Sequence, residues 1–182
     1  MLVLAGPSAS GKTEIAKILI NKYNFKKLVT YTTRPPRLGE VNGVDYNFVS
    51  VEEFLELKEN DEFIETTYYN NNYYGSRKSD IGPNKVVILE PSGVNVFKKC
   101  LGDKIVIVFL NTPEDLRISR MRGRGDKEHI IESRITNDRT YFTPNAFDHI
   151  DYYYKNEIID LGELSNQIYE SYINHGLEND KF

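Results

Sequence analysis

The chain has 182 residues, of which 40% are hydrophobic, so its length suits one well-buried core rather than two, and one domain is predicted. Its net charge of −4 excludes a general basic surface for nucleic acid or for an anionic membrane. The single cysteine, Cys100, excludes an intramolecular disulfide. No apolar run approaches the roughly 20 residues that span a bilayer, and no segment resembles a leader. We therefore expect a cytoplasmic protein without membrane partners.

A strand, a glycine-rich turn and a helix are predicted in that order from residue 1. The run MLVLA at residues 1–5 is uniformly apolar, as in a parallel strand that is covered on both faces. Residues 6–11 are rich in glycine and serine, and apolar residues then recur at helical spacing from Thr13 to about Asn24. This order is the context that a phosphate-binding loop requires.

Residues 6–13 read GPSASGKT and match the pattern GxxxxGK(S/T). Glycines let backbone N–H groups turn towards phosphates, and the helix N-terminus adds partial positive charge. A lysine at the position of Lys12 reaches the β and γ phosphates, and a hydroxyl at the position of Thr13 ligates Mg²⁺. The sequence therefore predicts that ATP with Mg²⁺ binds at Gly6, Ser8, Ala9, Ser10, Gly11, Lys12 and Thr13.

A polar, tyrosine-rich segment follows and predicts an inserted β-rich lobe over residues 31–81. Ser50 and Glu53 fit a capping box for a short helix inside it. The short β-prone pieces lie at 28–33, 46–49 and 63–69.

Two arginines in this lobe, Arg34 and Arg37, lie on a turn that Pro35 and Pro36 stiffen. Arginine donates hydrogen bonds in a rigid fork, and proline limits the loop entropy that is lost on ordering. The turn is therefore predicted to clamp a dianionic phosphate, which would belong to the acceptor of the reaction.

Two further apolar runs, KVVILE at 85–90 and KIVIVFL at 104–110, predict buried strands that are each followed by a helix. Thr112 is the expected N-cap of the second helix, with Pro113 at its first position. Alternating strands and helices imply an α/β fold with a parallel sheet flanked by helices. We assign this core to residues 1–30, 82–117 and 137–182.

An arginine-rich segment at 117–139 is interrupted by Gly123 and Gly125 and predicts a mobile arm. We expect a short helical lid over residues 118–136. Apolar residues near helical spacing at 164–173 predict a final helix.

Six blocks lie in order along nearly the whole chain. They are GPSASGKT, TTRPPRLGEVNGVDYNFVS at 32–50, FIE at 63–65, NYYGS at 72–76, ILE at 88–90 and RGRG at 122–125. Together these blocks resemble the guanylate kinase family. The resemblance implies a P-loop kinase that phosphorylates GMP, or dGMP, with ATP and Mg²⁺. Nucleotides are then the expected partners, and the protein would be a monomer or a homodimer.

The resemblance also implies roles for the acceptor site. Residues that match the family's phosphate contacts are Arg34, Arg37, Tyr46 and Tyr74, and those that match its guanine contacts are Thr30, Glu65 and Ser76. A carboxylate such as that of Glu65 accepts from both N1–H and the N2 amine of guanine, whereas adenine presents an acceptor at N1. Glu90 and Ser92 complete the expected GMP-binding set.

Arg120, Arg124 and Arg134 match residues of the family's lid that reach the phosphates of ATP. The resemblance therefore implies that they neutralise charge during direct in-line transfer, with no protein nucleophile. Glu90 lies where the family has an acid near Mg²⁺ and is a candidate to hold a metal-bound water. The predicted catalytic residues are Lys12, Arg34, Arg120, Arg124 and Arg134.

Two departures from the family leave alternatives open. Ser92 stands where the family has an aspartate on the guanine side, and FDHIDYYYKNE at 147–157 replaces its apolar strand and Asn-Asp ending. A kinase of another nucleoside monophosphate or of a sugar phosphate is therefore one alternative. A non-catalytic binding module is another, although Lys12 and Thr13, which such a module would lack, are both present.

Overall fold

A computed structural model describes residues 1–37, 39–69, 71–157 and 160–176. The central sheet is parallel, in the order β2-β7-β1-β8-β9, and a second sheet has the order β4-β3-β6-β5. The strands are β1 (Leu2–Ala5), β2 (Lys26–Lys27), β3 (Tyr31–Thr32), β4 (Asn47–Phe48), β5 (Phe63–Tyr69), β6 (Asn72–Arg77), β7 (Lys85–Ile88), β8 (Val106–Asn111) and β9 (Tyr152–Lys155). The helices are α1 (Lys12–Tyr23), α2 (Val51–Glu59), α3 (Pro91–Leu101), α4 (Glu114–Gly123), α5 (Glu128–Tyr141) and α6 (Leu161–Asn174).

Helices cover both faces of the central sheet, which explains the uniformly apolar β1. Leu2 and Leu4 face the side on which α1 and α6 pack, and Val3 and Ala5 face the side on which α3 packs. Because successive side chains of a strand point to opposite faces, every residue of β1 is buried. The predicted α/β core with its parallel sheet is confirmed.

The strand predicted at 28–33 is divided between the two sheets. Leu28 N donates to Val86 O of the central sheet at 2.9 Å, whereas Tyr31 pairs with Gly75 in the second sheet. The chain therefore leaves the core between these residues, and only Tyr31–Thr32 forms a strand there. Similarly, the strand expected at 46–49 is reduced to Asn47–Phe48.

In the predicted β-rich lobe, β5 forms at 63–69 as expected and pairs antiparallel with β6. Half of the predicted capping box is present, since the Ser50 side chain accepts from Glu53 N at 3.1 Å. Phe54 on α2 packs against Phe63 and Tyr73 and so fastens the helix to this sheet.

The predicted cap of α4 is wrong by one residue. Pro113, rather than Thr112, is the N-cap, and the helix begins at Glu114. The Thr112 hydroxyl instead donates to Ser10 O at 3.4 Å, so its hydrogen bond goes to the loop after β1. The arginine-rich segment is helical, with α4 and α5 separated by residues 124–127.

The segment 147–157, whose sequence departs from the family's apolar strand, nevertheless contains a strand. Tyr152–Lys155 forms β9 and pairs in parallel with β8. Its aromatic residues suit a sheet edge, where one face is buried and Tyr153 is exposed. Within the described residues, no helix has the length and apolarity that would cross a membrane.

Candidate nucleotide-binding site

The loop at Gly6–Thr13, hereafter the phosphate loop, joins β1 to α1 at the carboxyl edge of the parallel sheet. Gly6 and Gly11 have φ angles of 145° and 97°, a backbone region that L side chains rarely adopt. A Cβ on Gly6 would lie 2.5 Å from Leu110 O, and one on Gly11 would lie 2.5 Å from Asn156 Nδ2. Both positions therefore require glycine.

Lys12 begins α1 and folds back over the phosphate loop. Its Nζ donates to Gly6 O at 2.5 Å and to Pro7 O at 2.7 Å. Burial lowers the pKa of Lys12 to about 8, although nearby Glu90 and Asp138 favour its charged form. Phosphate oxygens are stronger acceptors than these carbonyls, so a bound triphosphate would recruit the ammonium group. Thr13, next in the helix, is exposed.

Hydrogen bonds from other parts of the chain hold the remaining residues of the phosphate loop in place. Ser10 is fully buried, and its carbonyl accepts from the side-chain amide of Asn156 at 2.8 Å. Ala9 has a φ of 59°, and its carbonyl accepts from Arg120 at 3.3 Å. Ser8 is bonded to Asp138 at 3.0 Å. Side chains from α4, from α5 and from the residue that follows β9 thus fix the loop before any ligand arrives.

The three predicted lid arginines do not share one environment. Arg120 bonds to the phosphate loop and to Asn156, at 3.2 Å from Oδ1. Arg124 and Arg134 both donate to Asp126, at 2.6 and 2.7 Å from its Oδ2. The hydrogen bond from Arg124, followed by the charges of Arg124 and Arg134, lowers the pKa of Asp126 and keeps this residue ionised.

In the β-rich lobe, the predicted phosphate contacts form one cluster. The Arg34 guanidinium lies 5.4 Å from the ring centre of Tyr46, and the rings of Tyr46 and Tyr74 are 6.2 Å apart. Arg34 is also paired with Glu40 at 2.8 Å. Burial raises the pKa of the Tyr46 hydroxyl, which keeps it a hydrogen-bond donor.

Arg37 is exposed at the tip of the same turn. Its positive charge is among the causes that lower the pKa of Asp126 in the predicted lid.

The predicted guanine contacts centre on a buried carboxylate. Glu65 is 8% exposed and accepts from the Ser76 hydroxyl at 2.8 Å and from Thr67 at 3.4 Å. Burial raises its pKa, against the effect of these bonds. A buried acid with two hydroxyl donors is a site that a base edge with N–H groups suits. Thr30, half-buried, lies just before the lobe, and its backbone carbonyl accepts from Asn47 N at 2.9 Å.

The N-terminus of helix α3 carries two more predicted residues, Glu90 and Ser92. A Cβ on Gly93 would lie 3.6 Å from Glu65 Oε2, so the first turn of α3 contacts the guanine-site candidate. Ser92 is exposed in that turn. Glu90, the N-cap residue, is close enough to Lys12 for the two charges to affect each other's pKa.

Within the described residues there is no group of three or more His, Cys, Asp or Glu that would hold a metal ion unaided. Mg²⁺ in nucleotide sites normally takes one or two protein ligands together with phosphate oxygens and water. Thr13, which follows Lys12 and is exposed, and Glu90, whose pKa the charge of Lys12 affects, are the candidates for that coordination.

The structure thus gathers the predicted residues in two neighbouring regions, the phosphate loop with the lid and the β-rich lobe with α3. Sequence reasoning missed five polar residues that hold predicted ones in place. A weak signal was available for Asp126, which follows RGRG directly. The missed residues are Glu40, Arg117, Asp126, Asp138 and Asn156.

Comparison with known proteins identifies relatives of the whole arrangement. A model of the family described as "Guanylate kinase" matches residues 1–169. The guanylate kinase of Fusobacterium nucleatum is 34% identical over 145 residues, which cover 75% of this chain and 78% of that protein. The guanylate kinase of Anaplasma phagocytophilum is 37% identical over 145 residues, which cover 74% of this chain and 69% of that protein.

A solved structure agrees with these sequence matches. The crystal structure of guanylate kinase from Anaplasma phagocytophilum superposes with a TM-score of 0.71 at 26% identity, covering 100% of this chain and 88% of that one. The similarity therefore extends over the core, the β-rich lobe and the lid region.

Proposed function

The chain belongs to the guanylate kinase family, and we propose that it transfers the terminal phosphoryl group of ATP to GMP or dGMP, yielding ADP and GDP or dGDP. The observation that carries this proposal is the pairing of two features in one lobe. The buried carboxylate of Glu65 suits guanine. The cluster that Arg34 forms with Tyr46 and Tyr74 suits a phosphate.

ATP would bind with its phosphates on the phosphate loop. Backbone N–H groups at the start of α1 point towards an anion there, and the helix dipole adds to their effect. Lys12 exchanges its carbonyl partners for the β and γ phosphates. Mg²⁺, held through Thr13 and through water at Glu90, would neutralise part of the phosphate charge.

The acceptor would be held at both ends. Arg34 and Arg37 bind its phosphate with the Tyr46 and Tyr74 hydroxyls, while Glu65 accepts from N1–H and N2 of guanine. Adenine would leave the Glu65 carboxylate without a donor at N1, at a cost of about 1–3 kcal/mol for a buried unpaired group. Base choice follows from this mismatch.

Transfer needs orientation and charge rather than a protein nucleophile. The acceptor phosphate oxygen attacks the γ phosphorus as the bond to the β-phosphate oxygen breaks. Arg120, Arg124 and Arg134 lie on the lid side and would stabilise the negative charge that spreads over the transferred group. Closure of the lid and lobe excludes the water that would otherwise accept the phosphoryl group.

We propose the division into core, acceptor lobe and lid that the sequence predicts. The second sheet begins at Tyr31, which supports an acceptor lobe at 31–81, and helices α4 and α5 support a lid at 118–136. A cytoplasmic location and a monomeric or homodimeric state are part of this proposal, and size-exclusion chromatography with light scattering would measure the latter.

Another acceptor is the second candidate function, and Ser92 is the observation that favours it. Ser92 is exposed in the first turn of α3, next to Gly93, on which a Cβ would lie 3.6 Å from Glu65 Oε2. The resemblance implies at this position an acid that helps to hold the guanine side. A different base or a sugar phosphate would then occupy the lobe.

An ADP-release assay with ATP and Mg²⁺ tests these candidates, with GMP, dGMP, AMP, CMP, UMP and dTMP supplied one at a time. Rapid turnover confined to GMP and dGMP is the expected result. Turnover with another acceptor and none with these two would retain a kinase and reject the guanylate assignment. Absence of transfer to all six would reject the guanylate assignment and each of the other nucleotides tested as the acceptor.

A further inference from the structure

A buried ion pair lies at the base of the lid, where α4 and α5 come together. Arg117 of α4 and Asp138 of α5 have side chains only 6% and 8% exposed, and Arg117 Nη1 donates to Asp138 Oδ2 at 2.5 Å. A buried pair is weak evidence for stability, because desolvation offsets most of the attraction between the charges. Its role is better sought in what the pair contacts.

Both members of the pair are bonded to Ser8 of the phosphate loop. Ser8 N donates to the two carboxylate oxygens of Asp138 at 3.2 and 3.0 Å, and Ser8 Oγ donates to Oδ1 at 3.0 Å. Arg117 Nη1 donates to Ser8 O at 3.4 Å, and its Nε donates to Thr112 O at 3.2 Å. The pair therefore binds both the backbone N–H and the backbone C=O of Ser8.

We propose that Arg117 and Asp138 are positioning residues, which fix Ser8, and through it the phosphate loop, relative to the base of the lid. This inference rests on the proposed function, since it assumes that the loop binds the phosphates of ATP. Ala9, the next residue, is supported in the same way by Arg120 of α4 at 3.3 Å. Two successive residues of the loop are thus placed by the lid helices.

The consequence is specific to ATP. Several N–H groups of the loop must converge on the same phosphates, so a small displacement of the loop weakens all of these bonds at once. The acceptor lobe has its own supports in the second sheet, such as the bond between Ser76 and Glu65. Loss of the pair should therefore weaken ATP binding and leave GMP binding unchanged.

Two double variants separate positioning from general stability. Arg117→Met/Asp138→Asn and Arg117→Met/Asp138→Leu both remove the pair without leaving one buried charge behind. Asparagine and leucine are similar in size, but only asparagine offers Ser8 N–H an oxygen. Calorimetry would give the Kd of a non-hydrolysable ATP analogue and of GMP for each purified variant, and melting temperatures would be recorded alongside.

The leucine variant should raise the analogue's Kd about tenfold, and the asparagine variant less than about threefold, with the Kd of GMP unchanged in both. Equal analogue affinities in the two variants, or equal losses for analogue and GMP, would overturn the proposal. Because the analogue undergoes no transfer, a wild-type chain that binds both nucleotides without kinase activity would reject the proposed function alone.

The chain also offers a matched control. Arg139 and Glu114 bridge the same two helices on their exposed side, with Arg139 Nε 3.0 Å from Glu114 Oε2. The variant Arg139→Gln removes this link but keeps Glu114, whose Oε2 also lies 3.8 Å from Arg117 Nη2, and it should leave the analogue's Kd unchanged. A weakening equal to that of the leucine variant would show that helix pairing alone sets the loop, and would reject a special role for Arg117 and Asp138.

Discussion

Both carboxylate oxygens of Glu40 accept hydrogen bonds from Nη2 of Arg34, at 2.8 and 2.9 Å. Glu40 also accepts from Arg37 N at 2.7 Å, so one carboxylate holds both ends of the turn that carries the two arginines. Burial acts to raise the pKa of Glu40, but the bonds from Arg37 and Arg34 outweigh it, and the pKa lies below its ordinary value. Glu40 therefore remains ionised at neutral pH and keeps the proposed phosphate clamp in shape.

The first prediction concerns this clamp. Glu40→Gln should raise the KM for GMP about tenfold, because a neutral amide replaces charge-assisted bonds that order the turn before the phosphate arrives. Steady-state kinetics with varied GMP at saturating ATP would measure it, with exposed Glu59→Gln on α2 as the control. A fall in KM would instead show that Glu40 competes with the acceptor phosphate for Arg34.

Lys12 carries the second prediction. Lys12→Ala should lower kcat by at least about a hundredfold with the melting temperature retained, since a preorganised charge at the transferred phosphoryl group is lost. Lys17→Ala is the control, because that lysine lies further along α1 and is exposed beside Glu14. Unaltered turnover in the Lys12 variant would contradict the mechanism.

Much of the architecture could be predicted because its signals are local. Uniformly apolar runs indicated β1, β7 and β8, and the glycines with Lys12 indicated the phosphate loop. The supports of the site could not be predicted in this way. Asp138 lies 130 residues from Ser8, and Asn156 lies 146 residues from Ser10, so only the folded chain brings them together.

The errors have equally local causes. Pro113 and Thr112 both fit the start of a helix, but the hydroxyl of Thr112 donates its hydrogen bond to the phosphate loop instead. The tyrosine-rich β9 lacks the apolar pattern of a central strand because it lies at the sheet edge, where one face is solvated. Residues 152–155 alternate between half-buried and exposed in the structure, but their sequence, YYYK, shows no such alternation.

Glu65 carries the third prediction, which concerns base choice. Glu65→Gln should lower kcat/KM for GMP and reduce the preference for GMP over IMP, which lacks the N2 amine that the carboxylate would bind. Competition kinetics between the two acceptors would measure this preference. Glu62→Gln, three residues earlier and paired with Arg77, is the control. An unchanged GMP preference would show that the base contacts another residue.

The pH dependence of the same residue is the fourth prediction. Burial raises the pKa of Glu65, and only the ionised form accepts from both guanine N–H groups. Binding of GMP should therefore weaken as pH falls through this raised pKa, at a higher pH than for an ordinary glutamate. The Kd of GMP would be measured from about pH 5 to pH 8 for wild type and Glu65→Gln.

Comparison of wild type with Glu65→Gln removes an effect that both proteins share, the protonation of the GMP phosphate. The phosphate of GMP also takes up a proton in this range, with a pKa near 6 as for other phosphate monoesters. That contribution is the same for both proteins, so the ratio of their Kd values isolates Glu65. A constant ratio across the range would show that the Glu65 carboxylate does not bind the base.

Ser92 carries the last prediction and decides between the two acceptor hypotheses. Ser92→Asp places a carboxylate in the first turn of α3, where the helix dipole favours an acid by about 0.3–1 kcal/mol and where Gly93 already approaches Glu65. If GMP is the acceptor, the new acid should raise kcat/KM for GMP about tenfold over wild type. Ser92→Asn, which has the same shape without the charge, should give a smaller gain. Improvement with GMP alone would support the guanylate assignment, whereas a loss with GMP would indicate that the serine suits an acceptor of different chemistry.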